Sequence, residues 1–420
     1  MQFLFVLDSV ENPTSANVTL ALRLAQALTQ AGHSVRLLHL WDGQTPPAAL
    51  PSCPDTRLAF ADERMMNAAL ENGAKQGSAL PLRLVRLLRH PSAVAAAVRQ
   101  LILHAPRRET DARRAIEQLD SQFHFDVICA VCAPYRSAFA LEKARVGAKK
   151  VLWQLDPYAS NKSYRAPGGY ARELALLSSM YAAFVTEQAA PDYAPGAPLS
   201  DAHDKIHTLH FPALIRPEPI QAETPGEKCC VFCGSLYPGL REPDFALTLF
   251  EVLAPDCGWT LVMAGGGWEH FPEAARRADA LGSRLFRPGP VPAARARALQ
   301  AGAEVLLSIG NLTDNQLPSK IFEYFAAGKP VLHLSMTEND PALPWMARYP
   351  LALVLRPDDS NASKKLAHWL ESTAGQRLRF EEVAALFPEV CPGAAAQEFL
   401  NGLNLPGAEN AGESLQGDTE

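Results

Sequence analysis

The chain has 420 residues, 48% of them hydrophobic and 20% charged, with a formal net charge of −6. That length exceeds one ordinary core and predicts two domains. The hydrophobic share excludes a disordered chain, and the acidic balance excludes a general nucleic-acid binder. No run reaches the roughly 18 apolar residues that a membrane-spanning helix needs. The short apolar start lacks a basic leader and reads as a buried strand rather than a targeting signal. The eight cysteines follow no secreted-scaffold spacing, so free thiols in a reducing cytoplasm are expected.

In chain order, the continuous apolar run Phe3–Leu7 predicts a strand covered on both faces. A polar turn follows, and 16–31 carries apolar residues at helical spacing up to Gly32. Strand 34–40 completes a β-α-β unit. A Pro-rich loop occupies 45–55. Further strands are expected at 126–131, 150–155, 182–186 and 205–209, with a helix near 135–146. Strands alternating with helices imply a parallel sheet, because parallel neighbours need a crossover. Prolines 212, 217, 219 and 225 then mark a linker over 213–227.

The same grammar restarts beyond the linker. Strands are expected at 229–233, 260–264, 284–286, 304–309 and 330–334. Helices are expected at 243–253, 273–281, 293–301, 318–327, 363–372 and 394–402. The predicted organisation is an N-terminal Rossmann-like domain over 1–212, a C-terminal one over 228–403, and a disordered tail over 404–420.

The most informative stretch is Leu317-Pro318-Ser319-Lys320-Ile321-Phe322-Glu323-Tyr324-Phe325-Ala326-Ala327-Gly328-Lys329-Pro330-Val331. It reads as a polar loop, a short helix opened by Pro318 and closed by Gly328, and a new strand. Ligands of open α/β sheets bind beyond the carboxyl ends of the strands. A helix start at that edge, with Lys320 beside it, suits a diphosphate, and Glu323 can accept from a ribose diol. The bland alternative is a solvated helix with an ordinary Lys–Glu surface pair.

This stretch resembles the donor-site motif of the retaining GT-B glycosyltransferases, the group 1 or family 4-like enzymes that use nucleotide sugars. Val231-Phe232-Cys233-Gly234-Ser235-Leu236 with Arg241, then Leu261–Gly267, then Arg287–Pro292, resemble the family's preceding blocks in the same order. The resemblance implies a GT-B fold, with two doubly wound parallel-sheet domains facing a central cleft. It implies transfer of a hexose from a nucleoside-diphosphate sugar to a glycan or lipid-linked acceptor hydroxyl, with retention. Residue by residue, it places Glu323 on the donor ribose, and Gly234, Ser235 and Arg241 at the diphosphate. Ser319 opens the same motif. Many relatives carry an acid eight positions before the ribose glutamate; here Asn315 stands there, with Asp314 adjacent, as the sugar-contacting candidates.

Arg241 and Lys320 are the expected stabilisers of the leaving diphosphate, Arg as a fork and Lys as a point charge. No metal and no cofactor beyond the nucleotide-sugar substrate is expected. In relatives the first turn of the N-terminal domain often lines the acceptor cleft, which makes Ser9, Asn12 and Ser15 candidates there. Asp156, at the end of strand 150–155, either orients an acceptor hydroxyl or caps the following turn. Two rival readings are a nucleotide-sugar epimerase of the same shape and a catalytically silent nucleotide-sugar-binding protein.

Two further signals have mundane readings. Cys129/Cys132 and Cys230/Cys233 lie in strand runs, where residues three apart point to opposite faces, so buried thiols are expected rather than zinc. Residues 81–114 carry eight arginines interleaved with leucines. They read either as a solvated helix pair or as a peripheral dock on an anionic inner-membrane face. Under the second reading, replacing four of these arginines with Gln releases the protein from anionic vesicles in a co-sedimentation assay; a wild type that never binds such vesicles removes that reading.

Overall fold

The computed structural model describes residues 1–9, 15–41, 50–59, 105–161, 166–254 and 257–406. They form two compact units, one joining Met1–Pro212 to the chain from Pro392 onward, the other spanning Ala213–Cys391. Most of the basic stretch 81–114, together with Asn12 and the tail beyond 406, lies outside the described residues.

The first unit runs β1 (Gln2–Ser9), α1 (Ala16–Gln30), β2 (Ser34–Trp41), β3 (Asp55–Ala59), α2 (Ala105–Phe123), β4 (Val127–Cys132), α3 (Arg136–Lys143), β5 (Lys149–Gln154), α4 (Gly169–Ser178), β6 (Ala182–Val185) and β7 (Ile206–Thr208). Its sheet has the order β3-β2-β1-β4-β5-β6-β7, with every pairing parallel. The central strands β1 and β4 are apolar runs because helices cover both faces, and Phe3, Phe5, Ile128 and Ala130 are fully buried. Ser15 caps α1, its hydroxyl accepting from Val18 N at 3.3 Å, which satisfies one of the helix's free donors.

The second unit runs β8 (Lys228–Cys233), α5 (Asp244–Glu251), β9 (Trp259–Ala264), α6 (Pro272–Ala280), β10 (Leu285–Gly289), α7 (Ala293–Gly302), β11 (Val305–Ile309), α8 (Lys320–Ala326), β12 (Val331–Leu334), α9 (Leu343–Arg348), β13 (Ala352–Leu355), α10 (Ala362–Thr373) and α11 (Phe380–Leu386). The sheet order is β10-β9-β8-β11-β12-β13, again with every pairing parallel. Both sheets thus reverse direction beside their first strand, between β1 and β4 and between β8 and β11. That reversal is where an open α/β sheet leaves a crevice at the carboxyl edge.

The last helix, α12 (Pro392–Leu403), belongs to the first unit. This corrects the expected C-terminal domain of 228–403, which loses its final helix. The reason is packing: the Phe399 ring centroid lies 4.6 Å from that of Phe184 and 6.1 and 6.0 Å from those of Phe3 and Phe5, within the range of paired core rings. Residues 213–227 are likewise no free linker. Ala213 N and Leu214 N donate to Val390 O, and Glu223 N donates to Ala298 O. The residues between the prolines supply the donors that the prolines lack.

Two strands escaped the periodicity. β3 begins at the last residue of the expected Pro-rich loop, and β13 is a four-residue edge strand. The expected helix over 318–327 begins only at Lys320, with Ser319 at its cap position making no side-chain cap bond.

The return helix is clasped by charge. His210 N donates to Glu398 Oε2 at 2.8 Å, and the ring faces Glu398 at 3.1 Å and Glu187 at 3.1 Å. Hydrogen bonds to Glu187 and Glu398 outweigh burial and push His210 up to about 10. A group whose folded value is raised adds stability that is complete below its ordinary value and fades as pH climbs through the folded one. His210→Gln is therefore expected to cost about 2 kcal/mol, as for hydrogen bonds to charged groups, when melted near pH 6. The Tm difference from wild type shrinks as pH rises toward 10; a difference that does not vary with pH means the imidazole is not held charged.

Candidate functional site

The crevice of the second sheet is built by two loops. One follows β8 and runs from Gly234 to Arg241; the other follows β11 and runs from Gly310 to Ser319. The first lies flat against the turn after β9. Gly234 N donates to Ala264 O at 2.9 Å, and Leu236 N to Gly266 O at 3.0 Å. Gly265 and Gly267 permit this approach. A Cβ on Gly265 would stand 1.7 Å from Gly234 O, and one on Gly267 would stand 2.1 Å from Leu236 O. The triple glycine is thus a close-packing device, and it fixes the loop that carries Ser235 and Arg241.

Arg241 bridges the crevice. Its Nη1 donates to Ser235 O at 3.4 Å and its Nη2 to Asn311 Oδ1 at 2.8 Å. Its Nε is buried with no hydrogen-bond partner. Burial pulls the guanidinium below its ordinary value. Lys320 reaches the same place from the other loop, Nζ donating to Cys233 O at 2.9 Å. Two cations therefore converge on the carbonyls either side of Gly234. Among the described residues no carboxylate lies within ion-pair distance of either.

α8 is held by its apolar face. Phe322 and Phe325 are fully buried. Phe325 stacks on Tyr349 at 4.5 Å and on Phe387 at 4.9 Å, and Phe322 meets Trp345 edge-on at 4.8 Å. Tyr324 points the other way, its hydroxyl 3.5 Å from Cys233 N, and burial pushes its phenol up. Glu323 stands in the first turn, partly exposed. Asn315 and Ser319 are partly exposed in the loop before it, and Asp314 is exposed.

Ser235 and Arg241 are thus in contact, Lys320 bonds the carbonyl just before Gly234, and Glu323 lies on the same short helix as Lys320. Asn311 was not anticipated. It is 6% exposed and orients the guanidinium; the signal for it was a polar residue right after a buried strand at the carboxyl edge.

The first unit's crevice is different. There the cation is neutralised: Arg136 Nε donates to the buried Asp8 Oδ2 at 2.9 Å. Ser9 Oγ lies 3.2 Å from His39 Nδ1, and burial drives His39 down to about 4, so the ring is neutral near pH 7. Asn17 Nδ2 donates to Ala133 O at 2.9 Å and to Asp156 Oδ2 at 3.2 Å. Asp156 thus stands at this edge, whereas the Ser15 hydroxyl is engaged as the α1 cap. The paired cysteines are buried free thiols, Cys233 pushed up to about 11 by burial. Among the described residues no group of three or more His, Cys, Asp or Glu side chains is placed to hold a metal ion, and no helix is long and apolar enough to cross a membrane.

No family model and no curated protein matches the sequence. Solved structures do match over nearly the whole chain. They include the lipopolysaccharide outer core galactosyltransferase WaaB, at 10% identity and TM-score 0.52, covering 96% of this chain and 99% of that one. AviGT4, a glycosyltransferase involved in avilamycin A biosynthesis, matches at 14% identity and TM-score 0.53 over 96% and 97%. A UDP-N-acetylglucosamine 2-epimerase matches at 12% identity and TM-score 0.52 over 94% of each chain. At such identities the likeness establishes the fold, which is the GT-B architecture of two parallel-sheet α/β domains.

A buried cation kept for folding would be missed when removed. One kept for a ligand would not. Arg241→Met is therefore expected to leave the Tm of the ligand-free protein within about 2 °C of wild type, or to raise it. A loss on the scale of a broken buried ion pair, about 3 kcal/mol or more, would make Arg241 a structural residue.

Proposed function

We propose that the chain is a glycosyltransferase that moves a sugar from a nucleoside-diphosphate sugar to a hydroxyl of a glycan or glycolipid acceptor, with retention at the anomeric carbon. The observation that carries this reading is the pair of uncompensated cations, Arg241 and Lys320, at the switch point of the second sheet. Such a site has charge to spare for a diphosphate, and the Arg241 Nε is a buried donor with no acceptor of its own. The fold's solved examples include glycosyltransferases, which supports the same reading.

In this reading the bond between the anomeric carbon and the diphosphate oxygen breaks, and its electron pair stays on that oxygen. A bond from the same carbon to the acceptor oxygen forms, and the proton of that hydroxyl passes to the departing diphosphate. Arg241 and Lys320 stabilise the developing charge from fixed positions; one such donor is worth roughly 3–4 kcal/mol in a site closed to water. Gly234 and Ser235 supply close backbone approach. Glu323 accepts from the ribose diol, Ser319 lies at the head of the same helix, and Asn315 and Asp314 meet the sugar hydroxyls. Asp156 and Ser15 belong to the acceptor side, and the sequence adds Asn12 to them. A cytoplasmic enzyme held at an anionic membrane face by 81–114 would meet a lipid-linked acceptor there.

The same fold hosts a UDP-N-acetylglucosamine 2-epimerase, so the experiment separates binding, transfer and epimerisation. Wild type, Glu323→Ala and Arg241→Gln are melted with UDP, GDP, ADP, dTDP and CMP and their sugars. One nucleotide is expected to raise stability by about 2.7 kcal/mol at a hundredfold excess over its dissociation constant, and Glu323→Ala loses that rise. With the selected donor, Arg241→Gln is expected to lower kcat/KM about 100-fold, or ~3 kcal/mol. Binding without turnover identifies a silent protein, an epimerised donor identifies an epimerase, and no rise with any nucleotide overturns the donor site.

A further inference from the structure

A buried polar chain under the loop after β11 has no part in the chemistry above. Ser308 of β11 and His333 of β12 are paired across the sheet. The His333 ring places Nδ1 3.0 Å from Ser308 Oγ and Nε2 2.9 Å from Asp340 Oδ2. Asp340 Oδ1 accepts from Ala342 N at 2.9 Å. The assignment that satisfies every group has Nε2–H donating to the carboxylate and Nδ1 accepting from the serine hydroxyl. The three residues look like a hydrolytic triad, but exposures of 5%, 0% and 2% for Ser308, His333 and Asp340 bar any substrate from them.

What the chain touches is more informative. Asp340 Oδ2 packs against Gly310 so closely that a Cβ there would stand 2.4 Å away. Gly310 N is tied to Leu334 O at 2.9 Å. The next residue is Asn311, which receives the Arg241 Nη2, and Leu312 N donates to Leu240 O at 2.8 Å, one residue before Arg241. The carboxylate is therefore the wall on which the Asn311–Arg241 contact is built, and His333 fixes that carboxylate.

We propose that His333 and Asp340 are positioning residues for the Arg241 guanidinium: they set Gly310, Gly310 sets Asn311, and Asn311 aims the cation. At Nη2 the cation meets a single amide, whose own nitrogen donates to Gln316 O at a long 3.4 Å, so its direction depends on where the Asn311 backbone is anchored. This deepens the reading of Arg241 as an anion-binding group, and it is tested with one readout that needs no ligand.

Asp340→Asn keeps the volume but exchanges a carboxylate oxygen for an amide, and His333→Gln is the second variant should the first fold poorly. Ser335→Ala is the control, because it removes a hydrogen bond of the same segment, Ser335 Oγ to Thr337 O at 3.0 Å, without touching Gly310. In the ligand-free protein, hydrogen exchange of the Arg241 Nε–H is followed by nitrogen-15 NMR. Binding of inorganic pyrophosphate is measured by calorimetry. Asp340→Asn is expected to speed the exchange and to weaken pyrophosphate each by about tenfold, a coupling of the size seen between contacting residues. In an Arg241→Gln background it has no further effect on affinity, and Ser335→Ala changes neither readout. An Asp340→Asn protein that melts lower but keeps exchange and affinity within twofold overturns the proposal and leaves a purely structural pair. A wild type that ignores pyrophosphate sinks the anion site instead, and the exchange rates still decide the positioning role.

Discussion

A guanidinium taken from water with no carboxylate beside it costs several kcal/mol, and the second unit is organised around carrying that cost. Arg241 is steadied only by dipoles, the Asn311 amide oxygen and the Ser235 carbonyl. Those dipoles must be rigid to be useful, because a dipole that rotates away gives nothing back. The glycines after β9 let the β8 loop lie directly on its neighbour. The aromatic stack of Phe325, Tyr349 and Phe387 fixes the helix that brings Lys320. Close backbone packing and ring stacking are thus the mechanical side of an electrostatic arrangement.

The two units show how little topology says about charge. Their sheets share the order third, second, first, fourth, fifth, sixth strand. At the switch point of the first, Arg136 is matched by Asp8. At the switch point of the second the charge is left open. Under the proposed reading, an anion would gain from the second crevice what the first has already given to its own carboxylate. The asymmetry lies in a few side chains at strand ends, helix starts and the loops between them, on one shared topology.

Much of this was legible from residue order. The buried runs at Phe3–Leu7 and 229–233 have no polar alternation because both faces are covered, and the 317–331 stretch announces loop, helix and strand by Pro318, Gly328 and Pro330. What was not legible is what depends on distant partners. Asn311 and Arg241 are 70 positions apart, and nothing local in either segment points to the other. His333 and Asp340 read as an ordinary strand residue and a loop acid. β3, Asp-Thr-Arg-Leu-Ala, is an edge strand without a hydrophobic signature, so a proline-rich neighbourhood masked it. α12 has the same amphipathic grammar as any helix of the second unit; only the rings of Phe3, Phe5 and Phe184 decide which sheet it covers.

That allegiance of α12 bears on how the chain is made. The ribosome delivers β1 to β7 first, but the helix that roofs Phe3, Phe5 and Phe184 emerges only after all of Ala213–Cys391. At translation rates of ~5–20 residues per second, the aromatic face of the first sheet waits roughly ten to forty seconds for its cover. During that interval it is an apolar surface on a nascent chain. The protein's first domain is thus the last to be completed.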